Sequence, residues 1–190
     1  MATFGAKYIV FAPFAEEPKD TLPSYKAAVE VGQLVKADLT VNLTAGELWA
    51  NNALAEKIEE FASGTLAVEV DDMTHETESA LFGSTLKEKE LIDSTGDTIP
   101  YGGLGYYKTL SRGGKKYYEA CFYPKTKAVM GNDTAQSKAS SITFTARPLS
   151  FTIYEPQTGE WRYREVFDSE EAAVAYIDGK LKTVTGEDVQ

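Results

Sequence analysis

The sequence predicts a mainly β protein, a β-sandwich or partly open barrel with one or two short flanking α-helices. Three observations carry that expectation. Eleven tyrosines and nine phenylalanines among 190 residues favour strands, whose half-buried pleats suit large, stiff side chains. Val35, Ala37, Leu39, Val41 and Leu43 alternate with Lys36, Asp38, Thr40 and Asn42, the period of two that buries one face of a strand. "LGYYKTLSRGGKKYYEACFYPKTKAVM" (104–130) sets two β-rich arms around Gly113-Gly114, and glycines tolerate the positive φ of a tight hairpin turn.

The elements follow in order. "KYIVFAP" (7–13) reads as an N-terminal strand or arm, and "FAEEPKDTLPSYK" (14–26), with two prolines, as a loop. Residues 27–44 hold the alternating strand, and "AGELWANNALAE" (45–56) breaks its pattern as a long loop. "KIEEFASGTLAVEVDD" (57–72) reads as a hairpin turning near Ser63-Gly64, with Leu66, Val68 and Val70 opposite Ala67, Glu69 and Asp71. "THETESALFG" (74–83) is a helix capped by Thr74, with acids in its first turn and Gly83 to end it. "STLKEKELIDSTGDTIPYGG" (84–103) is polar and loop-like. "SSITFTARPLSFTIYEPQTGEWRYREVF" (140–167) supplies two or three strands, and "DSEEAAVAYIDGKL" a capped amphipathic helix from Asp168. No internal repeat interrupts this order. One domain spans 1–190: an arm and loop over 1–26, a β core over 27–166 with its helix near 74–83, and a C-terminal helix and tail over 167–190.

The chemistry-bearing residues are few. The lone Cys121 rules out an internal disulfide and a cysteine-based zinc site; within "YYEACFY" it reads as a small core residue. "HETE" offers the only histidine, His75, with two carboxylates, short of the ligand sets that zinc or iron requires. The plainer reading is a helix N-terminus where Glu76 and Glu78 complement the dipole and His75 is exposed. No GxxxxGK[ST] phosphate loop and no GxSxG elbow is present. Among 29 acids, an adjacency such as Asp71-Asp72 does not single out a glycosidase pair. The expectation is therefore no enzyme, no metal and no cofactor. No apolar run approaches the roughly 20 residues that span a bilayer, and "MATFGAKYIVFAPF" has no signal-peptide pattern, so synthesis in a cytoplasm without membrane insertion is expected. "NLT" (42–44) and "NDT" (132–134) then read as chance glycosylation matches.

Charge is the stronger signal. A net charge of −10 argues against tight non-specific DNA binding, which depends on cations displacing condensed counterions. Residues 47–78 carry nine acids against Lys57, a net of −8. Residues 102–131 carry Lys108, Arg112, Lys115, Lys116, Lys125 and Lys127 against Glu119, a net of +5. Tyr106, Tyr107, Tyr117 and Tyr118 interleave with these bases, as on a stacking surface for single strands. An amphipathic hairpin with one tyrosine of each pair buried explains them more simply. The two lobes instead suit one another on neighbouring copies.

The succession "GAKYIVFAPF", "AVEVGQLVKADLTVNLTAGELWANNALAE", "FASGTLAVEVDDM", "ALFG", "YGGLGYYKTLSRGGKKYYEACFYPKTKAV", "SSITFTARPLSFTI" resembles the major tail protein (tail tube protein) of long-tailed, non-contractile phages. The likeness runs from about Phe4 to Ile177 and lies in the order of many weak motifs; Asn51-Asn52 depart from it, since acids are commoner there. The resemblance implies a β-sandwich subunit that forms hexameric rings, stacked into a hollow tube through which the genome passes. It implies a virion protein assembled in the bacterial host cytoplasm, with copies of itself, the tape measure, the tail terminator and the distal tail protein as partners. DNA would pass only transiently, and an acidic channel would repel its phosphates. On this reading Lys108, Arg112, Lys115 and Lys116 form a subunit or ring interface. Glu56, Glu59, Glu60, Glu69 and Asp71 then face the lumen or a ring-to-ring contact. The alternative is a small β-rich binding module or another virion structural protein.

Overall fold

The computed structural model describes residues 2–19, 21–50, 53–131 and 146–182. Within them, period-two alternation organises two long hairpins. The first joins β4 (Leu34–Ala50) to β5 (Ala53–Val70), and the second joins β8 (Tyr101–Arg112) to β9 (Lys115–Val129). Gly113 at φ 55° and Gly114 at φ 81° make the second turn, the backbone that a two-residue turn matched to the strand twist requires. With β1 (Ala2–Glu16), β2 (Ser24–Tyr25), β3 (Val29–Gly32), β10 (Arg147–Ile153) and β11 (Tyr163–Phe167), they build a nine-stranded antiparallel sheet. The main path runs β2-β1-β8-β9-β10-β5-β4, with β3 on β1 and β11 on β9. The mainly β expectation holds.

The far edge of β9 is shared. Residues Tyr118–Phe122 pair with β11, whereas Thr126–Val129 pair with β10. Pro124, which has no N–H to give a ladder, sits between the two pairings, and its carbonyl accepts from the Tyr25 hydroxyl at 2.9 Å. From this split the sheet curls, bringing β4 back against β1. Ile9, Phe11, Leu66, Val68, Leu104, Cys121, Phe151 and Ile153 fill the enclosed core. A second core lies on the opposite face, where Ala173 and Ile177 of α2 (Glu170–Lys180) cover Val10, Tyr107, Ala120 and Phe122. Gly105 permits that docking, because a Cβ there would lie 2.3 Å from Ile177 Cγ2.

The helix α1 (His75–Phe82) forms where expected: the Thr74 side chain accepts from Thr77 N–H, and Gly83 closes it at φ 77°. Other local expectations fail. Ser63-Gly64 is no turn, since β5 runs through it; Gly64 is flat against Ile153, 3.3 Å from where its Cβ would stand. Most of "AGELWANNALAE" is not loop but paired strand, Ala45 to Ala50 opposite Ala53 to Glu59; Asn51-Asn52 lie outside the described residues. β1 continues to Glu16 and β2 pairs with it, shortening the expected loop at 14–26. The polar stretch 84–103 holds a small hairpin, β6 (Thr85–Lys87) with β7 (Glu90–Ile92). Ser169, not Asp168, caps α2, its hydroxyl accepting from Ala172 N–H at 3.2 Å. Any strand at 140–145 falls outside the described residues.

Candidate functional site

The β4–β5 hairpin outgrows its sheet. β10 pairs with β5 from Gly64 to Val70, so among the described residues the two strands beyond Gly64 pair only with each other. At about 3.3 Å per residue the eight residues of β4 beyond Asn42, Leu43 to Ala50, extend roughly 26 Å. β4 also ends the main path, leaving a 17-residue edge strand. Such edges invite pairing with another chain.

The root of this arm carries a bulge. Asn42 pairs with Ser63 but Leu43 with Phe61, so Ala62 is the extra residue and facing parity on β5 changes. One face continues Leu66 and Gly64 into Phe61 and Glu59, alongside Val41, Leu43 and Ala45. The other carries Glu69, Ala67, Thr65, Glu60 and Ile58. Phe61 stacks on Trp161 at 4.2 Å and 5° between planes, anchoring the root. Farther out the apolar residues are bare: Val41, Leu43 and Ile58 are 39, 56 and 53% exposed. The alternation at 35–43 is real, but the face it was expected to bury is half-covered at Ala37 and Leu39 and open beyond.

The five candidate carboxylates are thereby separated. Glu60 and Glu69 share the outer face, with Glu69 opposite Lys36. Glu59 is on the inner face and pairs with Lys57. Asp71 lies past the end of β5, its Oδ1 accepting from Gln33 N–H at 2.7 Å and Asp72 N–H at 2.8 Å. It holds a turn and leaves the face it was expected to share with Glu69. Glu56 is opposite Leu48 in the ribbon, and its side chain is outside the described set.

The four candidate cations divide as well. Arg112, Lys115 and Lys116 surround the exposed β8–β9 turn; Arg112 lies over Tyr117 at 5.8 Å and Lys116 over Phe4 at 5.9 Å. Lys108 instead points between the curled walls, 2.7 Å from Glu119 Oε2, while Arg164 approaches Oε1 at 3.8 Å. Tyr106 and Tyr107 are both buried, in different cores. Both faces of this sheet are covered, one by β4 and β5 and the other by α2, so the expected buried-and-exposed pairing does not arise there.

His75 is exposed, with Nδ1 3.1 Å from the Lys89 carbonyl oxygen. Glu78 does more than complement the helix dipole: it is buried and ion-paired to Arg147, tying α1 to β10. Burial pushes the Cys121 thiol up to about 11, which makes it a poor nucleophile. Among the described residues no three His, Cys, Asp or Glu side chains are arranged to hold a metal ion. No described helix is long and apolar enough to cross a membrane. Arg162 and Arg164, absent from the candidates above, enter one cavity with Lys108; their two-residue spacing in "WRYRE", at the start of β11, is the signal that turns them the same way. No protein-family pattern and no curated protein sequence matches this chain.

Proposed function

We propose that the chain is a structural subunit that polymerises, the tail-tube protein of a long-tailed phage, forming stacked hexameric rings around a lumen. The observation that carries this reading is the β4–β5 arm. A two-stranded ribbon is marginal in water by itself. Among the described residues the β4 edge of this one has no strand partner, and Val41, Leu43 and Ile58 are bare, features that mark a surface completed by another chain. The acidic outer face of β5, with Glu60 and Glu69, suits a lumen wall that DNA slides past without adhering.

Sedimentation and electron microscopy of concentrated protein, alone and with a tail initiator, test the proposal. Rings or tubes are expected. A companion variant joins Asn42 to Ser63 through Asn-Gly, removing the arm while keeping their side-chain hydrogen bond of 3.2 Å. It should keep its β-rich circular dichroism and lose assembly. A chain that stays monomeric throughout would refute the reading, and tubes from the truncated variant would remove the arm from the contact.

A further inference from the structure

A cavity of about 400 Å³ opens between the curled walls, where β4 crosses the face shared by β1, β8, β9 and β11. That is near the small end of the roughly 300–1,000 Å³ typical of ligand pockets. The β4 wall is mostly apolar, with Val35, Ala37 and Leu39 beside Lys36, whose ammonium pairs with Asp38. The other is polar and cationic, with Lys108, Arg162 and Arg164 beside the hydroxyls of Tyr106 and Tyr123.

These cations are not equivalent. Glu119 occupies Lys108 and Arg164. Arg162 is half-buried, its guanidinium 4.7 Å from the Trp161 ring centre, and among the described residues no carboxylate lies within ion-pair reach of it. Tyr106 and Tyr123 are 5 and 1% exposed. Burial raises both phenols, Tyr123 to about 12, so each keeps its proton; the Tyr106 hydroxyl donates to Tyr123, which also meets Arg162, and the Tyr123 O–H is the one left to donate. A guanidinium and a neutral phenol facing the aliphatic side chains of β4 match a carboxylate attached to an apolar group, because charge-assisted hydrogen bonds to a carboxylate are the strong ones. A phosphate would gain less from the aliphatic wall.

We propose that this cavity binds an organic carboxylate, its charged end on Arg162 and its apolar body against Val35, Ala37 and Leu39. The carboxylate comes either from a small molecule in solution or from a glutamate side chain of a second copy. The site is independent of whether the chain forms tubes.

Titrating the full chain with benzoate, with benzylamine as the opposite-charge control, tests it by fluorescence and amide NMR shifts. A peptide of residues 56–62 (EKIEEFA) provides the second arm. Saturable binding of benzoate but not benzylamine is expected, weakened about tenfold or more in Arg162→Gln and unchanged in Arg112→Gln. Val35→Trp, at a position 58% exposed, should plug the mouth and abolish binding while leaving Arg162 in place, so the test survives if Arg162→Gln misfolds. Peptide binding without benzoate binding, lost in the same variants, assigns the carboxylate to a second copy. No saturable response to either probe overturns the proposal, as does equal binding of benzylamine or wild-type affinity in both Arg162→Gln and Val35→Trp.

Discussion

Gly105 is where the two cores meet through the backbone of β8. It pairs with Val10 on one side and Phe122 on the other, and Ile177 of α2 lies where a side chain would stand. Gly105→Ala should push α2 outward at a cost of about 1–3 kcal/mol, read as a lower urea midpoint with an unchanged slope. Cys121, nearby in the other core, makes a prediction about pH. Its folded value of about 11 lies above the ordinary 9.0 because burial disfavours the thiolate. Between those values the unfolded chain has released the proton and the native chain still holds it, so stability is full below pH 9 and falls as pH rises. The thiol's share is about 2–3 kcal/mol. Urea unfolding at pH 8.5, 9.5 and 10.5 should show a shallower loss in Cys121→Ala than in the wild type. Parallel losses would show that the thiol does not titrate across this window.

At the scale of elements, the β8–β9 hairpin and the β4–β5 arm are both long antiparallel ribbons. The first ends in a compact turn ringed by Arg112, Lys115 and Lys116, with Lys116 over the half-exposed Phe4 of β1. A single exposed ion pair contributes only about 0–1 kcal/mol, but a ring repeats it at every interface. Reversing Arg112, Lys115 and Lys116 to glutamate should leave the melting temperature of the isolated subunit nearly unchanged and impair assembly, measured by sedimentation. Normal tubes would exclude this turn from the contact. Lys108 does not belong in that variant: with Glu119 only 14% exposed, its removal would uncover a buried carboxylate and confuse folding with assembly.

For the whole molecule, the net charge of −10 is less informative than its division between a projecting arm and a compact basic turn. If the outer face of β5 lines a lumen, Glu60→Lys with Glu69→Lys should leave tubes intact yet slow DNA ejection, more so at low salt where phosphate contacts are strongest. Ejection at the wild-type rate from intact tubes would place those carboxylates on the outside, and absence of tubes would place them at a subunit contact. Glu59 and Asp71 are poor choices for this experiment. The first already pairs with Lys57 and the second holds the turn beyond β5.

What the sequence by itself determined was local. Thr74 and Gly83 delimit α1, Gly113-Gly114 turns β8 into β9, and Leu66, Val68 and Val70 point inward together. Each depends on backbone geometry or hydrogen bonds within a few residues, so the local residue pattern suffices. The tertiary structure decided what those patterns meet. A glycine serves a turn and a close approach equally well, and only the placement of Ile153 shows that Gly64 is the second kind. Alternation at 35–43 identifies an apolar face but not its cover, and here the sheet ends before the face does. Adjacent tyrosines at 106 and 107 are both buried because α2 packs on one side of the sheet and β4 and β5 on the other. Lys108 is separated from the basic turn by Glu119, and Arg162 reaches the cavity because β11 pairs beside Cys121. Burial and pairing depend on segments distant in sequence, which the local pattern does not position.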